Sequence, residues 1–276
     1  MPSTTLLSAL QMQNVQESRA MALKALAQPD IALKCEMVGQ IDDTGSIDVE
    51  ALYWPDQALP GRPERPVLVS PAELQVRRVQ SIEGRAVLLH AIAHIEFNAI
   101  NLALDIVWRF PGMPEPFYRD WLRVAREEAS HFQMLREHLQ SLGYDYGDYP
   151  AHDGLWDMAL KTTDDLLGRL AMVPRTLEAR GLDASPPIRD KLIQAGDTRA
   201  GEILSVILRE EIGHVAIGNY WYHWLCEQRG LDSEEADFAM HKKYSAPRLR
   251  GPFNLDARRA AGFDETELAR LVDQKA

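Results

Sequence analysis

The chain is poor in cysteine. It has two in 276 residues, Cys35 and Cys226, far apart and with no CxxC pair. That excludes a disulfide-built scaffold, and a reduced, cytoplasmic setting is the expectation. Positive charge is also scarce, with 30 Lys+Arg against 41 Asp+Glu and a formal net charge of -11. Such a surface is a poor generic binder of nucleic acid or of an anionic membrane. No uninterrupted apolar stretch approaches the ~18 residues of a spanning helix, so no membrane crossing is expected. The first residues, MPSTTLLSALQMQNVQ, have no positive region ahead of their short apolar run and do not read as a signal peptide. The two-residue alternation of a half-buried strand is missing as well. What is present is 46% hydrophobic and 26% charged residues, ordinary for a globular protein, and the length is ample for a sizeable core.

Loop signals concentrate in residues 29–80, in DDTGS and WPDQALPGRPERPVLVSP. Together with one modest helix at 15–28, residues 1–80 read as an N-terminal helix and irregular wrap. Within it IALKCEMV fits either helix ends or edge strands. Ser70-Pro71-Ala72-Glu73 reads as a helix start, with Ser as N-cap, Pro at the first position and Glu at the third. From Ser81 the helical signals lengthen. Segment A covers about 81–109 and ends before Pro111, Pro114 and Pro116. Segment B covers 115–141 and ends at Leu142-Gly143. Segment C covers 154–180, is kinked or split at Pro174, and is closed by Gly181 and Pro186-Pro187. Segment D covers 187–229, in one piece or in two around Gly196 or Gly201, and ends at Gly230. Four long helices predict an all-α four-helix bundle over 81–230, with short C-terminal helices over 231–276 packed on it.

The hexapeptides REEASH (126–131) and REEIGH (209–214) share the pattern Arg-Glu-Glu-x-x-His. Glutamate and histidine three apart share one face of a helix, so Glu128 aligns with His131 and Glu211 with His214. The same-face neighbours of Glu128 are Trp121, Val124, Ala125, Phe132 and Leu135; those of Glu211 are Leu204, Ile207, Leu208, Val215 and Gly218. Both carboxylates therefore turn inward, where an ionised group is costly unless paired, protonated or bound to metal. The preceding acids, Glu127 and Glu210, are rotated by ~100° and fall to exposed positions or positions that support the ligands. A two-metal carboxylate site also needs a glutamate from each of the other two helices. Segment A supplies Glu96 on a small, apolar face, and segment C supplies Glu178. The spacing agrees with itself: 32 residues separate Glu96 from Glu128, and 33 separate Glu178 from Glu211. Each half is a helical hairpin with a lone Glu followed by ExxH.

This E…ExxH…E…ExxH pattern resembles the ferritin-like di-iron carboxylate proteins. The stretches EGRAVLLHAIAHIEFNAINLALD, REEASHFQMLREHLQSLGYDYGDYPAHDGLW, PRTLEARGLDASPP and REEIGHVAIGNYWY look like a bacterial ferritin-like family labelled as a domain of unknown function, over roughly 60–260. That family is distantly similar to a tRNA-modifying di-iron hydroxylase. The resemblance implies a ferritin-like bundle and the metal ligands Glu96, Glu128, His131, Glu178, Glu211 and His214, the six that the facing argument selects.

Hard carboxylates suit iron or manganese better than copper or zinc. The expectation is two Fe ions, with Mn as the other candidate, in a di-metal oxidoreductase that activates O2. The resemblance favours a hydroxylase or monooxygenase acting on a small molecule or on a modified nucleoside or tRNA, with an electron-donor reductase. The alternative is a ferroxidase or iron-binding protein without an organic substrate. Against cage-type storage stand the N-terminal wrap and the tail. Several other features have plainer roles. His90 and His94 share a polar stripe with Asn98, Asn101 and Asp105, which reads as a hydrogen-bond ladder, and Glu83 suits the helix start. Tyr220-Trp221-Tyr222 and Trp224 read as packing, and Arg126 and Arg209 as partners of neighbouring carboxylates. The basic run KKYSAPRLR (242–250) reads as a solvated face that could also meet phosphate.

Overall fold

Helical periodicity becomes helix along most of the chain, and proline and glycine mark most of the breaks. The computed structural model describes residues 17–42, 44–74 and 77–273. Eleven α-helices are described: α1 Ser18–Ala27, α2 Ile31–Gly39, α3 Ile82–Arg109, α4 Glu115–Ser141, α5 Gly154–Lys161, α6 Leu166–Met172, α7 Ala179–Gln194, α8 Thr198–Gln228, α9 Ser233–Lys243, α10 Leu255–Ala260 and α11 Glu265–Asp273. A π-turn, Val173–Glu178, joins α6 to α7. Among the described residues there is no strand, only an isolated bridge between Leu68 and Ala151. The protein is all-α.

Segments A and B become α3 and α4 with nearly the expected limits. Gly143, at φ +85°, ends α4 in the left-handed region; its N–H and that of Tyr144 return to the carbonyls of Gln140 and Leu139. α3 corrects one expectation. By length and composition it could cross a membrane, because a windowed average tolerates the His, Asn and Glu residues that break an uninterrupted run. Yet 72% of its most apolar window is buried inside the protein.

The structure decides one open alternative, bears out one helix and corrects two further expectations. IALKCEMV is helix α2, capped by the Asp30 side chain on Leu33 N–H, and not a strand. The predicted helix at 15–28 is α1 from Ser18; its first two residues lie outside the described ones. Ser70 and Glu73 form the expected capping box, but only a three-residue 3₁₀ turn follows. None of its residues is buried, so nothing apolar repays propagation. Segment C is interrupted at 162–165, where Asp165 caps α6 through Gly168 N–H. The segment then runs past Gly181, Pro186 and Pro187 to Gln194, so the C–D break falls at Gly196, φ +87°. Pro186 has no N–H for the Leu182 carbonyl. The Asn254 side chain donates to that carbonyl instead, at 3.2 Å. Arg258, on α10, donates to the Ala179 carbonyl and pairs with Asp183 at 2.6 Å. A tertiary contact thus carries the helix through two prolines.

Two compact units are distinguished. One comprises the described residues up to Glu64 with Ala99–Ala129; the other comprises Arg65–Asn98 and the residues from Ser130 onward. In the first, buried cations organise irregular backbone. Arg19 donates to the carbonyls of Asp48, Val49, Ala51, Val107 and Trp108 and stacks 4.7 Å from the Tyr118 ring. Lys34 donates to Leu26 O, Gly61 O and Asn101 Oδ1. The wrap therefore satisfies its carbonyls with side chains where no ladder exists. In the second unit α7 and α8 pack side by side, with Ala179, Leu182, Val215, Ala257 and Ala261 in one buried cluster.

Candidate metal centre

Acidic side chains turn inward on α3, α4 and α8. On α3, Glu96 follows Leu89 and Ala93 on a buried face and is itself 4% exposed. On α4, His131 is wholly buried, one turn after the buried Glu128. On α8, Glu211 and His214 are buried together. Ligand atoms of Glu96, Glu128, His131 and Glu211 all lie within 4.8 Å of one another. These are three carboxylates and one imidazole in a buried setting. Like charges at that separation disfavour joint ionisation unless a cation or shared protons offset them.

His131 is held at both nitrogens. Nδ1 lies 3.2 Å from Glu96 Oε2, and Nε2 lies 2.8 Å from Glu210 Oε2. Glu210 is the first acid of the REEIGH motif, so the second motif orients the histidine of the first. Partial burial pushes the Glu210 carboxyl up, but hydrogen bonds from Arg209 and His131 outweigh it and hold it below the usual range. A carboxylate on the outer nitrogen fixes ring orientation and raises ligand basicity. The rotation argument left Glu210 either exposed or supporting; the structure gives it the supporting place. Glu127 is half-buried, and Arg126 donates to the Ile41 carbonyl.

The other two predicted ligands stand as follows. His214 Nδ1 is 3.5 Å from Glu211 Oε1, and its ring centroid is 5.7 Å from that of His131. His214 therefore borders the cluster. Glu178 is half-buried at the last position of the π-turn, outside the four-donor group. The turn has a physical cause. Pro174 withholds a donor from the ladder, Ala179 N–H reaches back to Pro174 O, and Thr176 Oγ1 donates to Ala171 O at 2.8 Å. Gly218 on α8 faces Pro174 so closely that a Cβ there would come within 2.4 Å of its ring. One turn from that contact, the pair Ala179 and Val215 shares a core cluster. Glu178 closes the π-turn, one position before Ala179 of that cluster.

The polar stripe on α3 ties down the 144–152 loop. His90 Nε2 accepts the Gly147 N–H at 2.9 Å, and burial pushes its pKa down to about 4. His94 bonds the Tyr146 hydroxyl at 2.8 Å and the His152 carbonyl at 3.0 Å, and Asn98 bonds His94. Asn101 serves Lys34, and Asp105 pairs with Arg109. Glu83 pairs with Arg77 at the start of α3. Tyr220, Trp221 and Trp224 pack edge to face. In the basic run, Lys243 and Tyr244 both donate to Asp165, the cap of α6.

Fold and site define an all-helical protein with a buried carboxylate–imidazole cluster able to hold a metal ion. The chain matches the family described as "Protein of unknown function (DUF455)" over residues 16–269, and it belongs to that family. It is 51% identical, over 249 residues, to a Haemophilus influenzae protein named "Uncharacterized protein"; the match covers 85% of this chain and 86% of that one. No solved structure matches it.

Proposed function

We propose that the protein is a di-metal carboxylate oxidoreductase, with iron as its metal, built on a ferritin-like four-helix bundle of α3, α4, the α6–α7 segment and α8. The observation that carries this reading is the convergence of Glu96, Glu128, His131 and Glu211 within 4.8 Å in a buried site. The donor chemistry fits: hard oxygen ligands with imidazole suit iron or manganese. Glu96, Glu128, His131 and Glu211 would hold the metal, with His214 and Glu178 completing the second position. When bound, the metal pair supplies O2 activation for insertion of oxygen into an organic substrate.

The chain's own groups do the rest. Glu210 orients His131 through Nε2, so that Nδ1 points at the cluster. Burial excludes water from the carboxylates and strengthens every charge interaction among them. The π-turn lets α7 follow on from α6 past Pro174 with Glu178 at its end. A small organic molecule or modified nucleoside is the substrate in this reading, an electron-donor reductase supplies electrons, and the setting is cytoplasmic, in keeping with two free buried cysteines.

Oxygen uptake separates this reading from iron handling. The Fe(II)-loaded protein, in the presence of a chemical reductant, is expected to consume O2 at a rate that a nucleoside or aromatic test substrate changes. Sustained oxidation of excess Fe(II) to a ferric mineral, indifferent to any organic addition, would replace it with a ferroxidase.

A further inference from the structure

We infer that the outward face of α8 is where two copies of the chain meet, as an antiparallel pair of helices about a two-fold axis. Between Arg209 and Glu227 this face carries Gly213, Ala216, Ile217, Tyr220 and Trp224, at helical spacing and without charge. Gly213 and Tyr220 are exposed, as are Arg209 and Glu227 at the two ends, and the other three are half-buried. Tyr220 keeps 59% of its surface open. The outward face of a helix in a globular protein is ordinarily polar. An apolar one about 27 Å long, at 1.5 Å per residue, marks a surface that meets another.

Three glycines lie in α8, and contacts within the chain explain two of them. A Cβ at Gly201 would come within 2.4 Å of Ile193, and one at Gly218 within 2.4 Å of Pro174. A Cβ at Gly213 would meet nothing within 4 Å. Glycine weakens a helix interior relative to alanine. The single chain bears that cost at Gly213 with no contact that requires it. A bulky side chain seated there from another molecule supplies the reason.

Self-complementarity selects a second copy as the occupant. Arg209 and Glu227 each stand nine residues from Gly218, at opposite ends of the face. A two-fold axis at the level of Gly218 runs the partner helix antiparallel and sets Arg209 of each copy beside Glu227 of the other. The same operation sets Tyr220 over Ala216 and Trp224 over Gly213, a large side chain against a small one each time. Both rings are held by edge-to-face contact with Trp221, at 4.9 and 5.6 Å. Arg209 keeps its hydrogen bond to Glu210, and its side chain is 69% exposed, which leaves donors for a second carboxylate. A parallel pairing would instead oppose like charges at both ends. One helix face is small for an interface, so the dimer is a weak one and not obligate. The interface uses none of the four clustered donors and stands whether or not they hold metal.

The test is sedimentation velocity of the full chain from about 1 to about 200 μM, where a monomer–dimer equilibrium with a Kd of about 10–100 μM is expected. Arg209→Glu and Glu227→Arg each set like charges face to face, and each is expected to weaken self-association about tenfold or more. An equimolar mixture of these two variants restores opposite charges at both ends and is expected to dimerise as wild type does. Gly213→Gln fills the space under Trp224 and is expected to weaken the dimer about tenfold or more. Its monomer, at about 1 μM, should unfold in urea no more easily than wild type, because glutamine is the better helix former. Circular dichroism checks that each variant is folded. No self-association up to about 200 μM, or a Kd unmoved by Gly213→Gln, overturns the interface. Charge variants that dimerise alone as wild type does, or that fail to associate when mixed, overturn the antiparallel two-fold pairing.

Discussion

Acidification should unlock the 144–152 loop through His90. The ring is 1% exposed, stacks on Tyr146 at 5.2 Å, and must be neutral at Nε2 to accept the Gly147 N–H. Burial lowers its pKa from 6.5 to about 4. The unfolded chain therefore binds the proton first. Stability is present above pH 6.5 and is lost as pH falls from 6.5 through about 4. At ~1.4 kcal/mol per tenfold change in proton affinity, that interval is worth about 3 kcal/mol. His90→Gln offers an acceptor to Gly147 without a titrating group, so subtracting its pH profile removes the contributions of the other acids and histidines. Urea unfolding followed by circular dichroism, from about pH 7 to about pH 4, gives both profiles. Wild type should lose about 3 kcal/mol more than the variant across the range. Parallel profiles would refute the assignment of a neutral, buried acceptor to His90.

Two further substitutions probe the supports of the site. Asn254→Ala removes the donor to Leu182 O and the cap on Ala257 N–H, and should cost about 1–3 kcal/mol in chemical denaturation. No loss would mean that the prolines of α7 need no tertiary donor. Glu210→Gln keeps the size of the side chain but removes the carboxylate on His131 Nε2. Metal affinity by competitive chelation should fall roughly 10–100-fold with the helices unchanged, and undiminished affinity would deny Glu210 its orienting role.

The long helices were legible because their ends carry local chemistry. Pro111 follows the end of α3, Pro116 sits in the first turn of α4, and Gly143 closes α4 in the left-handed region. Pro186-Pro187 misled because the donor that rescues the Leu182 carbonyl comes from Asn254, 72 residues away, and no local pattern announces it. The break at 162–165 was legible in principle: Thr-Thr-Asp-Asp ends in a residue that caps the next helix. Four of the predicted ligands converge because a repeated ExxH on apolar faces constrains both the helix face and the register. Glu210 was only half placed, since its 100° rotation fixes a direction on α8 but not which helix lies in that direction. At Pro174 the sequence signals only a kink or a split; the shifted ladder depends on Thr176 and on the close approach of Gly218.

We propose that the buried glutamates and histidines hold two metal ions. The most direct test is metal content per chain, by plasma emission, after anaerobic Fe(II) loading and desalting, for wild type and for the Glu128→Ala/Glu211→Ala double variant. Both residues are buried members of the four-donor group, and removing mutually repelling buried charge leaves the helices free to form. The account predicts about two equivalents in wild type and none in a variant of unchanged helicity. Wild type that retains no iron, or a double variant that keeps both equivalents, would contradict it.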